Sequence, residues 1–325
     1  MESRFPFPIP YSWYQVAFPD DLEPGGVTAL AYWGRQLVLW RDEDGEYHLQ
    51  DAYCPHLGAH LGVGGRVDRG CIRCPFHGWR FDGAGACVDI PYSERLNRKA
   101  KLRTYAVVVR NDLVFAWYHP FDEPPRWEVP EFPEVSDPAF SEYYKSDYTI
   151  RTIPQEMAEN AVDPAHFLYV HGTDQVAECE SYETKDHTAT MLSKQNYVTP
   201  RGVTEGRIDV YSFGPGVART WFSGIVDALL VATSTPIDRD TTLVRFNFTV
   251  RKFDDAKMTS TVAESFVAEI GKQIQEDQPI WENKVFLAVP ALADADGPIG
   301  KFRRWYSQFY AEPYDVTASS AAATP

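Results

Sequence analysis

The sequence lacks any segment suited to crossing or targeting a membrane. Its 325 residues contain no run of eighteen or more apolar residues, the length that a membrane-spanning helix requires. Residues 1–10 also lack the basic-then-apolar order of a secretory signal peptide. These absences predict a soluble, cytoplasmic protein without a membrane span.

The sequence also contains few cysteines and fewer basic than acidic residues. Five cysteines without framework spacing exclude a disulfide-stapled secreted fold and are typical of reduced thiols in the cytoplasm. The 31 basic residues are outnumbered by 46 acidic ones, and the net charge of −15 argues against nucleic acid as a partner. The chain is long enough for about two domains.

Two short segments carry a distinctive set of metal ligands: Cys54-Pro-His56 and, seventeen residues later, Cys74-Pro-Phe-His77. A Rieske-type [2Fe–2S] cluster needs two Cys on one iron and two His on the other. Nearby Gly and Pro residues favour tight loops whose backbone can approach inorganic sulfide. Zinc also accepts two Cys and two His, but its ligands usually come as a Cys pair and a His pair. The pattern therefore favours an electron-transfer cluster over zinc.

The remaining cysteines are Cys71, Cys87 and Cys179. Cys71 precedes the ligand Cys74 by three residues and so mimics a C-x-x-C motif. We interpret it instead as a small buried strand residue.

The segment from Gly62 to Arg103 is locally basic, with nine basic residues against four acidic ones. It predicts a surface that docks an acidic ferredoxin or reductase through electrostatic steering. An equally good interpretation is that these side chains only solvate strand edges.

The chain divides by composition. Short strands separated by turns predict an all-β module, with the hairpin signal Asn111-Asp112 between strands 105–110 and 113–118. Proline-rich sequence then predicts a connector, and mixed strands follow with a helix near 155–168 and a long helix after Met258. The predicted divisions are residues 1–120, 121–138, 139–316 and a disordered tail at 317–325.

A second constellation lies in the helix predicted near 155–168. Asn160, Asp163 and His166 share one face of a regular helix, and His171 follows five residues after His166. On a regular helix His171 would lie about 140° from His166 around the helix axis, so the two rings could not share a metal. The helix must therefore end or distort between them, and Gly172 is placed to end it. The pair predicts a mononuclear metal site; an isolated pair would more simply be core histidines.

The long helix offers the carboxylate that a 2-His-1-carboxylate iron site requires. Asp277 falls on the apolar face marked by Ile270 and Ile274, where a carboxylate is costly unless it is paired or binds metal. The alternative is a polar residue at a frayed helix end. Glu276 is predicted to be solvated, and Pro279 is predicted to break the helix.

Aromatic residues alternate along the predicted strands of the second half, which favours either an apolar pocket or ordinary core packing. They are Tyr211, Phe213, Trp221, Phe222, Phe246 and Phe248.

Together these motifs resemble the oxygenase (alpha) component of Rieske non-haem iron oxygenases over essentially the whole chain. Segments 277–284 and 296–310 are similar to the C-terminal pattern of 3-ketosteroid 9α-hydroxylases and cholesterol 7-desaturases. The chain is shorter than members of that subgroup and lacks the membrane segment of the animal desaturases.

The resemblance implies an α+β fold, with an N-terminal all-β Rieske domain and a helix-grip, START-like catalytic domain of antiparallel sheet and helices. It implies Cys54, His56, Cys74 and His77 as [2Fe–2S] ligands, and His166, His171 and Asp277 as Fe(II) ligands. Asp163 would bridge the cluster ligand His77 of one subunit to His166 of its neighbour in a head-to-tail homotrimer. Asn160 would orient the site or contact this bridge.

The implied activity is that of a terminal oxygenase supplied with NAD(P)H electrons by a reductase or ferredoxin. Ala59 and Phe76 stand where respiratory Rieske proteins carry a disulfide, which implies a low potential of about −150 mV. The implied substrate is an apolar polycycle, with a steroid favoured. A smaller aromatic substrate, sterol desaturation and electron transfer without catalysis are the alternatives; the position attacked and the choice of NADH or NADPH stay open.

Overall fold

The computed structural model describes residues 4–173, 175–199, 202–294 and 296–316. The chain forms two compact units, one from Trp13 to Glu128 and one from the residues up to Ser12 together with those from Val129 onward. In the described ranges, no helix is long and apolar enough to span a membrane. The tail predicted to be disordered, 317–325, lies outside the described residues.

The unit boundary differs from the predicted division at residue 120. Part of the proline-rich segment stays with the first unit because Trp127 packs its ring against Trp117, with ring centroids 4.7 Å apart. The Trp127 carbonyl also accepts a hydrogen bond from Trp13 Nε1 at 2.7 Å. At the other end, the first dozen residues group with the second unit rather than with the β module.

The first unit contains three sheets, in the orders β1-β11-β10, β2-β3-β4-β9 and β5-β6-β7-β8, and the last two are antiparallel throughout. Its strands are β1 (Ser12–Ala17), β2 (Val27–Tyr32), β3 (Arg35–Arg41), β4 (Tyr47–Asp51), β5 (Arg66–Val67), β6 (Ile72–Arg73), β7 (Arg80–Phe81), β8 (Cys87–Asp89), β9 (Thr104–Tyr105), β10 (Val107–Arg110) and β11 (Leu113–Tyr118). Asn111 and Asp112 both have positive φ, 53° and 56°, as a two-residue hairpin turn requires. The predicted all-β module is confirmed.

The second unit is built on one seven-stranded antiparallel sheet, in the order β12-β18-β17-β16-β15-β14-β13. The strands are β12 (Tyr144–Ile150), β13 (Glu178–Lys185), β14 (Thr188–Thr199), β15 (Gly202–Phe213), β16 (Val217–Ser223), β17 (Ala228–Pro236) and β18 (Thr242–Val250). The helices are α1 (Pro154–Glu159), α2 (Ala165–Tyr169), α3 (Ala256–Trp281) and α4 (Ile299–Tyr306). The α+β class is therefore confirmed.

Helix α3 lies on the sheet through the predicted apolar stripe. Phe266 contacts Phe222 and Phe248 edge-on, with ring centroids 5.1 and 5.8 Å apart. Nearer the C-terminal end of α3, Ile274 and Trp281 pack against Val244 of β18. This packing places the C-terminal end of α3, where Asp277 lies, over β12 and β18 at one edge of the sheet.

The prediction that Pro279 breaks α3 is wrong, because the helix runs to Trp281. A proline removes its own N–H donor, but its fixed φ is helical, so the last turn can continue beyond it. The Pro279 carbonyl accepts a hydrogen bond from Asn283 Nδ2 at 2.7 Å, which satisfies the exposed helix end.

The single helix predicted near 155–168 is likewise wrong. Helix α1 passes into a 3₁₀ turn at Asn160–Val162, the chain leaves helical geometry at Asp163, and α2 then begins at Ala165. The cause is Pro164, since a residue before proline is pushed out of the α region; Asp163 has φ −110° and ψ 89°. Gly172, with φ 67°, lies beyond the end of α2 rather than at it.

Candidate active site

The two cysteine–histidine loops of the first unit have the same hydrogen-bonding pattern. In one, Cys54 N–H donates to the Ala59 carbonyl and Gly58 N–H donates to the Cys54 carbonyl, both at 2.9 Å. In the other, Cys74 N–H donates to Trp79 at 2.8 Å and Gly78 N–H donates to Cys74 at 3.1 Å. Gly58 and Gly78 have φ of 75° and 73°, which closes each loop tightly.

The four predicted cluster ligands converge between these loops. Cys54 and Cys74 are buried, at 2% and 3% exposure, and neither forms a disulfide. The rings of His56 and His77 have centroids 4.7 Å apart. Burial, with Cys74 adding in the same direction, raises the pKa of Cys54 to about 12.

The donor atoms fit a metal cluster. Nδ1 of His77 is buried and has no hydrogen-bond partner among the described residues, so its lone pair is available. The buried Cys54 thiol, whose pKa is raised, would give up its proton on binding a metal. The loops would hold an iron–sulfur cluster through two thiolates and two imidazoles.

Sequence reasoning missed how His56 is oriented. The Trp79 ring stacks on the His56 ring at 4.5 Å with an interplanar angle of 8°, and Trp79 Nε1 donates to Tyr92 Oη at 2.8 Å. The Trp after the second loop was visible in the sequence, but its stacking partner lies on the other loop.

In the second unit the structure brings together His166, His171 and Asp277. One potential ligand atom from each lies within 4.8 Å of the other two. His166 belongs to α2, His171 follows the end of that helix, and Asp277 comes from α3 with 7% exposure. His171 Nε2 is 3.5 Å from Asp277 Oδ2. Two imidazoles and one carboxylate around a common point are the donor set of a non-haem Fe(II) site.

The two imidazoles differ in their electrostatic surroundings. Burial lowers the pKa of His166, although the Asp163 carbonyl accepts a hydrogen bond from its Nδ1 and opposes the shift. Nε2 of His166 is therefore left as a neutral lone pair for metal. Burial also acts to lower the pKa of His171, but hydrogen bonds to Asp277 and Glu276 outweigh it, so that this pKa is raised.

Glu276 corrects a prediction, because it is not simply solvated. Its Oε2 lies 3.0 Å from His171 Nδ1, and its other oxygen is 3.4 Å from Lys272 Nζ. Metal-binding histidines usually donate their second ring N–H to an acceptor of this kind. Spacing could not reveal it, since the contact joins residues 105 positions apart.

Asn160 lies at the same site. Its Oδ1 accepts a hydrogen bond from Trp281 Nε1 at 3.3 Å, which ties the 3₁₀ turn to the end of α3. Helix α4 is fastened to α1 in turn, since Arg303 donates to both oxygens of Glu159 at 2.6 and 2.8 Å.

A cavity of about 230 Å³ adjoins the three potential ligands, and Asn160 is in its wall. Of the aromatic residues predicted to form its walls, Phe222 and Phe246 do so. The prediction is wrong for Tyr211, Phe213, Trp221 and Phe248, which are not among the lining residues. Neighbours on a strand point to opposite faces, so Trp221 and Phe222 cannot both face the cavity.

Two family models match the chain. The Rieske [2Fe–2S] domain matches residues 12–106, and the 3-ketosteroid 9α-hydroxylase C-terminal domain matches residues 116–310. The chain belongs to the 3-ketosteroid 9α-hydroxylase family of Rieske oxygenases. It is therefore a Rieske non-haem iron oxygenase, whose cofactors are a [2Fe–2S] cluster and a mononuclear iron, rather than a zinc protein or a simple electron carrier.

Relatives agree with this assignment, and a solved structure shares the fold. The cholesterol 7-desaturase of Ciona intestinalis is 30% identical over 329 residues, covering 94% of this chain and 69% of the relative. The oxygenase component of 3-ketosteroid-9-alpha-monooxygenase from Rhodococcus rhodochrous is 29% identical, with 94% and 82% covered. The crystal structure of dicamba monooxygenase bound to dicamba shares the fold, with a TM-score of 0.76 at 21% identity and coverage of 96% and 98%.

We expect Glu276→Ala to weaken Fe(II) binding by about 10- to 100-fold, because His171 loses the acceptor that orients it. Glu276→Gln, which keeps an acceptor oxygen, should be milder. Removing this carboxylate should also lower the pKa of His171. Protons should then compete with iron for this ring only at lower pH.

Chelator competition over a pH series measures both effects. Glu264→Ala, an exposed carboxylate on the same helix, is the matched control. Equal iron affinity in Glu276→Ala and Glu264→Ala would contradict the orienting role.

We expect Gly297→Ala to disturb the iron site by displacing the backbone of Val162 and Pro164. A Cβ there would meet the Val162 carbonyl oxygen at 1.8 Å and Pro164 Cδ at 2.8 Å, so the turn that precedes His166 must shift. The cost should be about 1–3 kcal/mol in the free energy of unfolding, with reduced iron occupancy. Gly300→Ala, with nothing within 4 Å of its Cβ, should have neither effect; the same loss in both variants would refute the explanation.

Proposed function

We propose that this chain is the terminal oxygenase of a multicomponent system and hydroxylates a steroid. The observation that carries the proposal is the apolar cavity of about 230 Å³ beside His166, His171 and Asp277. The relatives support the substrate class, since their names are 3-ketosteroid-9-alpha-monooxygenase and cholesterol 7-desaturase.

In this proposal Cys54, His56, Cys74 and His77 hold the [2Fe–2S] cluster, and His166, His171 and Asp277 hold Fe(II). The bound iron would supply O₂ binding and activation for attack on a substrate C–H bond. Glu276 fixes the His171 ring, and the Asp163 carbonyl fixes the tautomer of His166. The apolar walls exclude water from the reacting carbon.

Sterol desaturation is the second candidate. It is favoured because the chain is as similar to a cholesterol 7-desaturase, at 30% identity, as to a 3-ketosteroid-9-alpha-monooxygenase, at 29%. A smaller aromatic substrate is the weaker alternative, since the structural neighbours with such ligands share the fold at 21% identity.

Turnover with a purified NAD(P)H-dependent reductase tests the proposal. Androst-4-ene-3,17-dione, cholesterol and dicamba would be compared for substrate-dependent O₂ consumption, with mass spectrometry of the products. We expect the ketosteroid to gain one oxygen atom, and His166→Ala to abolish the reaction. Consumption coupled only to dicamba would reject the steroid proposal, and a product two hydrogens lighter would identify desaturation.

We further propose a homotrimer in which Asp163 passes electrons from the cluster of one subunit to the iron of the next. Large apolar side chains stand exposed on the cluster loops, with Leu57 at 65% and Phe76 at 62%, as expected of a surface that another protein covers. Asp163 adjoins His166, and its Oδ1 accepts a hydrogen bond from Ala165 N–H at 3.1 Å.

We expect Asp163→Ala to retain both metal centres and lose coupled turnover. Asp163→Asn, which keeps an oxygen for the Ala165 N–H, should be equally inactive if the carboxylate itself is required. Single-turnover oxidation of the reduced cluster, followed by absorbance, measures the transfer step. Wild-type oxidation rates in Asp163→Ala would refute the bridge, and wild-type rates in Asp163→Asn alone would show that the bridge does not need the carboxylate charge.

The reductase or ferredoxin is proposed to dock on a basic segment that we define as Arg95, Arg98, Lys99 and Lys101. All four side chains are exposed. Other basic residues of the same region are already paired, as Arg73 with Asp68 at 3.4 Å and Arg80 with Asp89 at 3.1 Å. A cytoplasmic location goes with such a partner and with the free thiols.

We expect reduction of the cluster by its partner to slow steeply as salt increases, because screening weakens long-range attraction. The double variant Arg98→Glu and Lys99→Glu should flatten this dependence and lower the rate at low salt. Stopped-flow reduction at several ionic strengths measures both. A rate independent of salt in the wild type would refute docking by this segment.

A further inference from the structure

The two histidines proposed as cluster ligands have different neighbours. The Trp79 ring lies flat on the His56 ring, with centroids 4.5 Å apart and an interplanar angle of 8°. Trp79 itself is buried, at 6% exposure. The ring next to His77 is that of Phe76, with centroids 3.9 Å apart, and Phe76 is 62% exposed. One face of the His56 imidazole is therefore closed to water by a buried side chain, whereas the neighbour of His77 faces solvent.

The orientation of Trp79 depends on a hydroxyl group from another segment. Trp79 Nε1 donates a hydrogen bond to Tyr92 Oη at 2.8 Å. Without this acceptor, the N–H group of so buried a side chain would lose its hydrogen bond or have to turn toward water. Because the indole cannot turn and still lie flat on His56, the stacking and the hydrogen bond to Tyr92 support each other.

Tyr92 is 61% exposed, yet its backbone is fixed beside the cluster loops. It lies in a turn in which Ser93 N–H donates to the Ile90 carbonyl at 3.0 Å. Ile90 is buried in the same apolar cluster as Trp79 and the two ligand cysteines. A tyrosine that is anchored in this way, but buries little of its own ring, contributes chiefly its hydroxyl.

We propose that Tyr92 and Trp79 form a positioning pair that keeps the His56 ring in place and water away from it, and so keeps the potential of the cluster low. This inference rests on the proposed ligand set and deepens it. The potential of an iron–sulfur cluster depends on its solvent exposure and on the groups around its ligands. Reduction adds negative charge, which water stabilises, so a covered ligand disfavours the reduced form. A low potential favours donation of the electron to the catalytic site.

The potential of the cluster, measured without turnover, tests the positioning pair. It would be determined in the holoenzyme by redox titration followed by electron paramagnetic resonance. We expect Tyr92→Phe, which keeps the ring and removes only the acceptor, to raise the potential. Release of cluster iron to a chelator should also become about 2- to 10-fold faster, the loss of one neutral hydrogen bond.

A double variant separates a coupled pair from two independent residues. Trp79→Phe keeps a ring that can stack on His56 but has no N–H group to donate, so it should raise the potential as well. Both substitutions remove the same hydrogen bond. Adding Tyr92→Phe to Trp79→Phe should therefore change neither the potential nor the iron release any further.

Tyr53→Phe is the matched control. Tyr53 is 55% exposed and precedes the ligand Cys54, and its ring lies edge-on to His60 with centroids 5.3 Å apart. The variant removes a tyrosine hydroxyl beside the same cluster without touching Trp79. Its potential and its iron release should equal those of the wild type.

The inference is overturned by an unchanged potential in Tyr92→Phe, by an equal rise in Tyr53→Phe, or by a further rise in the double variant beyond Trp79→Phe. Faster iron release at an unchanged potential would mean that the hydroxyl only stabilises the fold, and it would also overturn the inference. If the wild type shows no Rieske-type signal, the proposed ligand set fails and the inference fails with it. A normal wild-type signal with an unchanged Tyr92→Phe rejects the positioning pair alone.

Discussion

The architecture of the second unit depends on a carboxylate held on the apolar face of a helix. Asp277 is 7% exposed among the residues that join α3 to the sheet, and a charge in such a place is stable only beside compensating partners. His171 supplies one partner at 3.5 Å, and the metal that the family carries would supply the other. The site is thus part of the helix–sheet interface rather than an addition to a loop.

Several otherwise unrelated features serve this arrangement. Pro164 breaks the helix so that His166 and His171 approach Asp277 from one side. Gly297 leaves room for the Val162 carbonyl, and α4 is fastened to α1 through Arg303 and Glu159. The segment that follows α3 therefore supports the turn that precedes His166, and its residues Trp305 and Tyr306 contribute to the wall of the cavity.

Ligand sets could be predicted from the sequence, because Cys54, His56, Cys74 and His77 have a spacing that few other sites share. Asp277 could be predicted from helical periodicity, since a carboxylate in an apolar stripe contradicts ordinary packing. Glu276 and Trp79 could not, because their contacts join distant segments. The prediction of the cavity walls failed for a different reason. Strand alternation indicates which residues share a face of the sheet, but not which face lines the cavity.

The central claim is that His166, His171 and Asp277 hold a mononuclear iron separate from the cluster. Iron analysis of anaerobically purified wild type and Asp277→Ala, with electron paramagnetic resonance of the reduced cluster, tests it most directly. We expect about three iron atoms per wild-type chain and about two in the variant, with an unchanged cluster signal. Equal iron content in both proteins, or loss of the cluster signal in the variant, would contradict the account.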